Sequence, residues 1–224
     1  MKIQRMPEWL RKKVPQGEQA AMRGLLSELK LNTVCQQALC PNISECFGCG
    51  QATFLILGRD CTRQCSFCNV DKAPAPRAPD ADEPRRLAEA VLRLKLSHVV
   101  ITSPTRDDLV DGGAGHYAAT VAAVREVSPA TAVELLVPDF GGDHVCLATV
   151  LAAQPAILAH NLETVPRLYE VRKGADYQRS LDLLHEATLR APSIPTKSGI
   201  MLGLGEELDE VRAVLQDLRR VGCS

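Results

Sequence analysis

Five short apolar runs alternate with five segments of helical periodicity, and this alternation limits the fold more than any other feature of the chain. Continuous apolar runs are typical of strands buried on both faces of a parallel sheet. The runs lie at 52–58, 98–103, 132–138, 156–161 and 199–203, and the helical segments at 84–96, 117–127, 143–153, 177–189 and 207–221. Strand followed by helix, repeated in this way, predicts a parallel β/α fold of the α/β class with right-handed crossovers.

The alternation of predicted strands and helices ends with a helix. Residues 222–224 stand where the next strand of a parallel array is due. An array that stops there leaves an edge strand with unpaired backbone groups. The sequence therefore predicts a partial parallel (β/α) barrel at 51–224, incomplete at its C-terminus, with the last barrel strand outside this chain. Residues 1–50 are expected to form a cysteine-rich N-terminal extension.

Composition excludes several classes of function. The 224 residues are 46% hydrophobic and 24% charged, which is ordinary for a globular protein with one sizeable core. A net charge of −1 and an aromatic content of 4% argue against nucleic-acid binding. No apolar stretch approaches the roughly 18 residues of a membrane helix, and the N-terminus lacks a secretory signal. We expect a soluble, cytoplasmic protein that binds neither nucleic acid nor membrane.

Nine cysteines indicate a metal-binding protein. In a reducing compartment clustered cysteines are metal ligands more often than disulfide partners, and an odd number cannot pair completely. Six of them form two ordered triplets. Cys49, Cys146 and Cys223 fall outside the triplets, and for the last two the ordinary interpretation is a small buried side chain.

The second triplet, Cys61-x-x-x-Cys65-x-x-Cys68, directly follows the first predicted strand. Parallel β/α barrels carry their reactive residues on the loops after the carboxyl ends of the strands. Three close thiolates can hold a cubane iron–sulfur cluster by three of its irons, which leaves the fourth iron open to a small molecule. A structural zinc site and a redox-active Cys-x-x-Cys pair are the alternatives.

The order Cys-x-x-x-Cys-x-aromatic-Cys after a first barrel strand resembles the radical S-adenosylmethionine (SAM) superfamily. The resemblance implies that SAM binds the open iron of a [4Fe-4S] cluster through its amino and carboxylate groups. Reduction of the cluster then cleaves SAM to a 5′-deoxyadenosyl radical, while the protein positions the reactants and excludes water. Phe67, between the second and third cysteines, offers a flat apolar face to a bound ring.

Three more residues match the superfamily as cofactor-binding candidates. Met201 and Gly203 belong to a segment that resembles the fifth-strand motif whose backbone lies against adenine. Glycines also end strands, however, so the pattern has a purely conformational interpretation. Asn161, at the end of the fourth predicted strand, is placed to bond the ribose, or equally to cap its loop.

Cys35, Cys40 and Cys46 form the first triplet, upstream of the predicted barrel. Neither spacing fits the usual zinc pairs, although a structural metal site is the alternative for the triplet taken alone. The sequence around the triplet, together with four segments further along, resembles the lipoyl synthase family. The segments that carry the resemblance are 32–46, 107–113, 160–167, 174–177 and 195–206.

The resemblance implies a sulfurtransferase that inserts two sulfur atoms at C6 and C8 of a protein-bound octanoyl group. Its implied partners are octanoylated lipoyl carrier domains, the glycine cleavage H protein and an electron donor. Its implied cofactors are SAM and two [4Fe-4S] clusters, of which the first triplet holds an auxiliary cluster that supplies the sulfur. Because a radical must reach a methylene and then meet a sulfide, the alkyl chain must lie between the clusters.

In that family a serine of a C-terminal Arg-Ser-Ser-Tyr segment completes the auxiliary cluster, and this sequence contains no such segment. The alternative function is therefore a truncated, non-catalytic iron–sulfur binding fragment.

Charged residues near these motifs have two interpretations. Asp107, Asp108 and Asp111 either order the cofactor pocket or form a solvated acidic loop. Arg172 and Lys197 either meet an acidic carrier domain or are ordinary surface charges.

Overall fold

The computed structural model describes residues 18–49 and 51–224, so the start of the N-terminal extension and Gly50 lie outside the described part. Its strands are β1 Asn32–Thr33, β2 Thr53–Leu55, β3 Asp60–Cys61, β4 Asp71–Lys72, β5 His98–Thr102, β6 Ala132–Leu136, β7 Ile157–Ala159 and β8 Thr196–Lys197. Its helices are α1 Glu18–Glu28, α2 Val34–Gln37, α3 Ile43–Gly48, α4 Glu83–Arg93, α5 Ala114–Val127, α6 His144–Ala152, α7 Tyr177–Arg190 and α8 Leu208–Arg220.

The main sheet of the described part has the order β1-β2-β5-β6-β7-β8. Each neighbouring pair from β2 to β8 in this sheet is parallel, and within the sheet these strands follow their order in the chain. β1 pairs antiparallel with β2, and β3 and β4 form a small separate sheet. Parallel neighbours in chain order, joined by helices, are the arrangement of a partial β/α barrel. The predicted fold class is therefore confirmed.

Alternation along the strands gives the sheet two different faces. Val99, Ile101, Leu135 and Leu158 are buried in the same core as the apolar residues of α4, α5 and α6. Successive side chains of a strand point to opposite faces. The residues between them therefore face the interior of the half-barrel, and there they line the cavities described below.

The N-terminal extension shares this core. Met22 and Leu26 of α1, Leu29 just after it and Phe47 of α3 are buried in one cluster with residues of β2 and α4. Arg86 of α4 also donates a hydrogen bond to the Leu29 carbonyl at 2.8 Å. The extension is thus packed on the barrel by apolar burial, which positions the first cysteine triplet against the sheet.

The fifth predicted strand is displaced. The sequence analysis placed it at 199–203, whereas β8 is Thr196–Lys197 and the later segment makes only an isolated bridge between Glu163 and Ile200. Gly203 has φ of +106°, a left-handed conformation that an extended strand does not use. The apolar run at 199–203 consists of loop residues instead of strand residues. Ile200 is apolar because it packs on a second core between α7 and α8.

The chain's last residue contacts the outer edge of β8. The Pro195 and Lys197 carbonyls accept hydrogen bonds from β7 and the residue after it, so the Thr196 carbonyl points to the opposite side of β8. There it accepts the Ser224 N–H at 3.2 Å and the Ser224 hydroxyl at 3.0 Å. The expectation of a further strand outside this chain stays a prediction.

Helices α1 to α8 offer no candidate for a membrane span: within residues 18–49 and 51–224, none combines the length and apolar character that crossing a bilayer requires.

Candidate active site

The second cysteine triplet lines a cavity of about 290 Å³ at the carboxyl ends of the strands. Cys61, Cys65 and Cys68 are partly buried there. The same cavity is lined by Phe67 and Asn161, as the sequence predicted, and by the last inward-facing residues of three strands, Leu55, Thr102 and Leu136. The structure therefore brings the three thiols, an aromatic ring and a polar amide to one concave site.

Arg63, inside the triplet, anchors the cysteine loop. Its guanidinium makes two hydrogen bonds to Asp139, at 2.6 and 2.9 Å, and two to Asp107, both at 2.8 Å. Its side chain is 8% exposed and that of Asp139 is fully buried. Bidentate arginine–carboxylate pairs impose geometry as well as attraction. The loop is thereby held to the ends of both β5 and β6.

Backbone hydrogen bonds hold the rest of the cysteine loop. The Thr62 N–H donates to the Thr105 carbonyl at 3.0 Å, and the Ser66 N–H donates to the Val171 carbonyl at 2.9 Å. Lys72 donates to the Cys68 carbonyl at 2.7 Å. Because Thr105 and Val171 lie on other loops, the thiol positions depend on tertiary contacts as well as on the local contact of Lys72.

The charges around the thiols suit an anionic cluster. Burial raises the pKa of the Cys65 thiol, and the neighbouring Cys68 and Cys61 act in the same direction. The positive charges of Arg172 and Arg63 oppose this rise in pKa because they favour the thiolate. The Arg63 N–H also lies 3.4 Å from the Cys61 sulfur. Three soft sulfur donors beside two arginines fit an iron–sulfur cluster.

Asn161, Glu163 and Arg172 form a polar wall of the cavity. Burial raises the pKa of Glu163, while a hydrogen bond from Asn161 and the charge of Arg172 oppose the rise. Arg172 donates to the Asn161 carbonyl at 3.0 Å and to the Tyr169 hydroxyl at 2.6 Å. The wall presents a carboxylate and an amide to the cavity, each held by other side chains.

His160 lines the same cavity beside this wall and is uncharged. Burial, with smaller contributions from Arg172 and Arg63, lowers its pKa to about 4. Its Nδ1 lies 2.8 Å from the Val137 carbonyl, which can only accept, so Nδ1 carries the proton. Its Nε2 lies 3.0 Å from the Ser180 hydroxyl. The ring therefore ties the ends of β6 and β7 to α7.

Two cysteines of the first triplet line a second cavity, of about 410 Å³, near the amino ends of β2 and β5. Cys35 and Cys46 line it together with Cys49. Burial raises the pKa of the Cys46 thiol, and Cys35, Cys40 and Cys49 add to this effect. The thiols of the first triplet are thus electrostatic neighbours of one another.

Both cavities open on the same face of the β2–β5 strand pair. Thr53 and Val100 line the first-triplet cavity, and Leu55 and Thr102, two residues further along the same strands, line the second. Alternate residues of a strand are about 7 Å apart and share a face. Successive same-face residues of β2 and β5 therefore line first one cavity and then the other.

The two cysteine sites differ from a site that binds a single metal ion. Within residues 18–49 and 51–224, no three His, Cys, Asp or Glu side chains are grouped around a point that one metal ion could occupy. A cubane cluster instead binds each cysteine at a separate iron.

Comparisons with known proteins identify the family. The Radical SAM superfamily profile matches residues 55–218. A lipoyl synthase from Trichlorobacter lovleyi is 94% identical over all 224 residues, which cover 80% of that protein. The chain belongs to the lipoyl synthase family. A lipoyl synthase from Geobacter sulfurreducens is 63% identical over the same residues, which cover 74% of its length. Membership confirms the predicted radical SAM fold and sulfurtransferase class, with SAM and a four-iron cluster as the family's cofactors.

The fold agrees with a solved structure. Methylornithine synthase (PylB) superposes with a TM-score of 0.59 at 16% identity, covering 95% of this chain and 63% of that protein. At this identity the likeness concerns the fold alone.

Two predicted site residues of this lipoyl synthase family member lie outside the cavity lining. The Met201 N–H donates to the Glu163 carbonyl of the polar wall at 2.8 Å, and Gly203 is exposed on a loop. The cause is the displaced strand, because the glycine motif lies beyond β8. Gly199 has the closer approach, since a Cβ there would lie 3.0 Å from Asn161 Oδ1. The cofactor-binding roles of Met201 and Gly203 stay predictions.

The acidic loop is bonded rather than simply solvated. Asp107 orders the pocket through Arg63, as described above. Asp108 pairs at 2.8 Å with Arg106, whose side chain is 1% exposed. Asp111 accepts hydrogen bonds from the Gly113 and Gly115 N–H groups at the start of α5.

The two cations have different surroundings. Arg172 is part of the polar wall. Lys197 of β8 pairs at 2.7 Å with Glu134 of β6, and His98 lies 3.3 Å from the other carboxylate oxygen. Neither environment is that of an isolated surface charge.

Four residues of the site were not singled out from the sequence. Arg63, Asp139, His160 and Glu163 all follow or lie within loops at the carboxyl ends of predicted strands. That position is itself the signal that could have found them.

Proposed function

We propose that this chain inserts sulfur at C6 and C8 of an octanoyl group carried on a protein, in the cytoplasm. The observation that carries the proposal is the shared face of the β2–β5 pair, on which successive residues line the cavities of the two cysteine sites. Sulfur insertion requires an alkyl carbon close both to the radical and to the sulfur source. Two thiol triplets facing one interior support that requirement.

Cys61, Cys65 and Cys68 would hold the SAM-binding cluster, and Cys35, Cys40 and Cys46 the auxiliary cluster. When bound, the clusters and SAM supply one-electron cleavage chemistry and the sulfur. All nine cysteines are free thiols in the structure, which suits a reducing compartment.

The protein's own residues would position and shield the reactants. Arg63 holds the cysteine loop, and Phe67, Asn161 and Glu163 offer an aromatic face and hydrogen-bonding groups to an adenosyl moiety. Leu55, Thr102, Leu136 and Val100 provide the apolar lining that an alkyl chain needs. By excluding water, this lining keeps a carbon-centred radical from competing reactions.

The proposed partners follow from the substrate's chemistry. An octanoyl group in amide linkage to a lysine must be presented by a carrier, for which lipoyl carrier domains and the glycine cleavage H protein are proposed. A separate electron donor is needed because free cysteines and side chains of the site do not supply low-potential electrons.

The decisive experiment is anaerobic reconstitution with iron and sulfide, followed by SAM, dithionite and an octanoylated peptide, with mass measurement of the product. Two variants, each with one triplet changed to alanine, are compared with Cys146→Ala, whose thiol is buried in the main core away from both cavities. We expect each triplet variant to lose one cluster's iron and all product, and the control to lose neither. One cluster per unmodified chain would refute the two-cluster assignment, and a colourless, zinc-containing protein would refute the whole proposal.

A further inference from the structure

Leu57 lies between β2 and the loop that carries the second cysteine triplet, and its backbone has an unusual conformation. Its φ is +65°, and that of the following Gly58 is +89°. A left-handed conformation costs a bulky residue free energy, whereas glycine adopts it readily. Bulky residues keep such a conformation where the surrounding structure holds them, and they are frequent at functional sites. The contacts of Leu57 therefore bear on the position of the cysteines that follow it.

Two buried polar side chains bond the backbone of Leu57. The Leu57 N–H donates to Oε2 of Glu83, the first residue of α4, at 2.7 Å. Arg106, on the loop after β5, donates through Nη1 to the Leu57 carbonyl at 2.9 Å. The side chain of Glu83 is 5% exposed and that of Arg106 is 1% exposed. Both backbone polar groups of Leu57 are therefore paired with side chains from distant parts of the chain.

Two contacts from α5 complete this arrangement. Nε2 of His116 lies 2.8 Å from the same Glu83 oxygen that accepts the Leu57 N–H. The Leu57 side chain is buried against Gly113, the N-cap of α5, where an added Cβ would overlap Leu57 Cδ1. The left-handed turn after β2 is thus fixed by contacts with α4, α5 and the loop after β5.

We propose that Glu83 is a positioning residue for the SAM-binding cluster, because by accepting the Leu57 N–H it fixes the direction in which the chain leaves β2 and thereby the position of Cys61. The inference rests on the proposed function, which assigns that cluster to the second triplet. Cys61 lies four residues after Leu57 and two residues before Arg63, whose guanidinium anchors the loop to Asp107 and Asp139. The first thiol of the triplet is therefore held between two buried anchors.

Glu83 acts through the backbone and not through the cavity. Among the described residues, the lining of the second cavity includes Leu55 and Cys61 but not Glu83. A side chain that keeps an oxygen acceptor should therefore replace Glu83, whether or not it carries a charge. Glutamine offers an amide oxygen to the Leu57 N–H. Leucine, which is similar in size, offers no acceptor and leaves a buried donor unpaired.

The first measurement is amide hydrogen exchange in the metal-free chain, followed by nuclear magnetic resonance. The Leu57 N–H should be as protected as the Ile56 N–H, which donates to the Thr102 carbonyl at 2.8 Å. Glu83→Leu should speed exchange of Leu57 relative to Ile56 at least about tenfold, and Glu83→Gln should leave the ratio within about twofold. Val150→Ala, which creates a cavity at a buried position of α6, is the control, because lost global stability exposes both amides equally.

The second measurement is calorimetric titration with SAM of the chain reconstituted anaerobically with iron and sulfide. Because misplacement of a cluster ligand displaces the open iron, Glu83→Leu should bind SAM about tenfold more weakly. Glu83→Gln should bind SAM with nearly the affinity of the unmodified chain. Glu89→Gln, on the same helix with a side chain 38% exposed, and Val150→Ala should leave the affinity unchanged.

Several results would overturn the positioning role. An unprotected Leu57 N–H in the unmodified chain would do so without any variant. Equal exchange ratios in Glu83→Leu and the unmodified chain, or unaltered SAM affinity in Glu83→Leu despite faster exchange, would do so as well. Impairment of Glu83→Gln as severe as that of Glu83→Leu would show that the charge, and not the acceptor, matters.

Failure of the proposed function gives a different result. An unmodified chain that takes up iron but binds no SAM would refute the proposed function and the link between Glu83 and the cluster. The exchange ratio in the metal-free chain would still show whether Glu83 holds Leu57, so the two failures are distinguishable.

Discussion

Nη2 of Arg63 lies 2.6 Å from Oδ1 of Asp139, and this buried ion pair joins the cysteine loop to the end of β6. The two residues are 76 positions apart in the sequence. The pair explains how a loop with little secondary structure can present three thiols in a defined arrangement. It also makes the site sensitive to changes that touch neither a thiol nor the cavity wall.

Asp139→Asn should destabilise the chain and loosen the second cluster site. Removing one charge of a buried pair leaves the other uncompensated, which costs about 3 kcal/mol, although Asp107 retains part of the interaction with Arg63. Urea unfolding of the metal-free chain measures the stability, and iron content after gel filtration measures cluster retention. Asp209→Asn is the matched control, because its carboxylate pairs with Arg212 while 91% exposed. Equal iron retention by the two variants would contradict the anchoring role of Asp139.

His160→Gln should flatten the loss of stability between pH 6.5 and 4. The unfolded chain protonates this histidine below its ordinary pKa of about 6.5, whereas burial delays protonation in the folded chain until a pKa of about 4. The free energy of unfolding therefore falls as pH decreases through this window, by up to about 1.4 kcal/mol per pH unit from this residue. Urea unfolding at a series of pH values measures the slope.

His185, exposed on α7, provides the control for that experiment. His185→Gln should keep the pH dependence of the unmodified chain. Parallel curves for His160→Gln and the unmodified chain would show that His160 is not the group responsible.

Asp139 affects stability at lower pH than His160 does. Burial alone would raise the pKa of Asp139, but the hydrogen bonds and charge of Arg63 outweigh burial and lower it. Its contribution to stability is therefore lost only as pH falls below about 4.

Gly199→Ala should weaken SAM binding by about tenfold while changing stability little. The added Cβ would lie 3.0 Å from Asn161 Oδ1, so that amide must shift by a few tenths of an ångström within the polar wall. Calorimetric titration of the reconstituted protein with SAM measures the affinity.

Gly24→Ala is the matched comparison, because no atom lies within 4 Å of its added Cβ. In the interior of α1 this change should stabilise the chain by about 0.5–1 kcal/mol and leave SAM affinity unchanged. Unaltered affinity in Gly199→Ala would remove Asn161 from the proposed binding site.

Lys197→Met should destabilise the half-barrel by about 1–3 kcal/mol, since it leaves the Glu134 carboxylate, 5% exposed, with His98 as its remaining partner. Adding Glu134→Gln should recover part of this loss, because the buried charge is then absent. Urea unfolding of the two single variants and the double variant forms the cycle. Strict additivity would mean that the two residues are not coupled in the folded state.

The sequence by itself determined the features that depend on local order. Alternating apolar runs and helical segments were enough for the parallel β/α class, because a strand buried on both faces gives a continuous apolar run and an amphipathic helix gives a 3.6-residue period. The spacing of Cys61, Cys65 and Cys68 likewise indicated a cluster site, and its place after a strand indicated the reactive end of the sheet.

Tertiary structure decided what depends on register and on distant partners. The apolar signal near Gly199 did not distinguish a strand from a loop packed on a second core, so β8 lies earlier than predicted and Met201 and Gly203 lie outside the cavity. The Arg63–Asp139 pair joins residues 76 positions apart, whose proximity no local pattern encodes. The common face of the two cysteine sites also arises only when β2 and β5 pair in register, because that pairing decides which side chains share the interior.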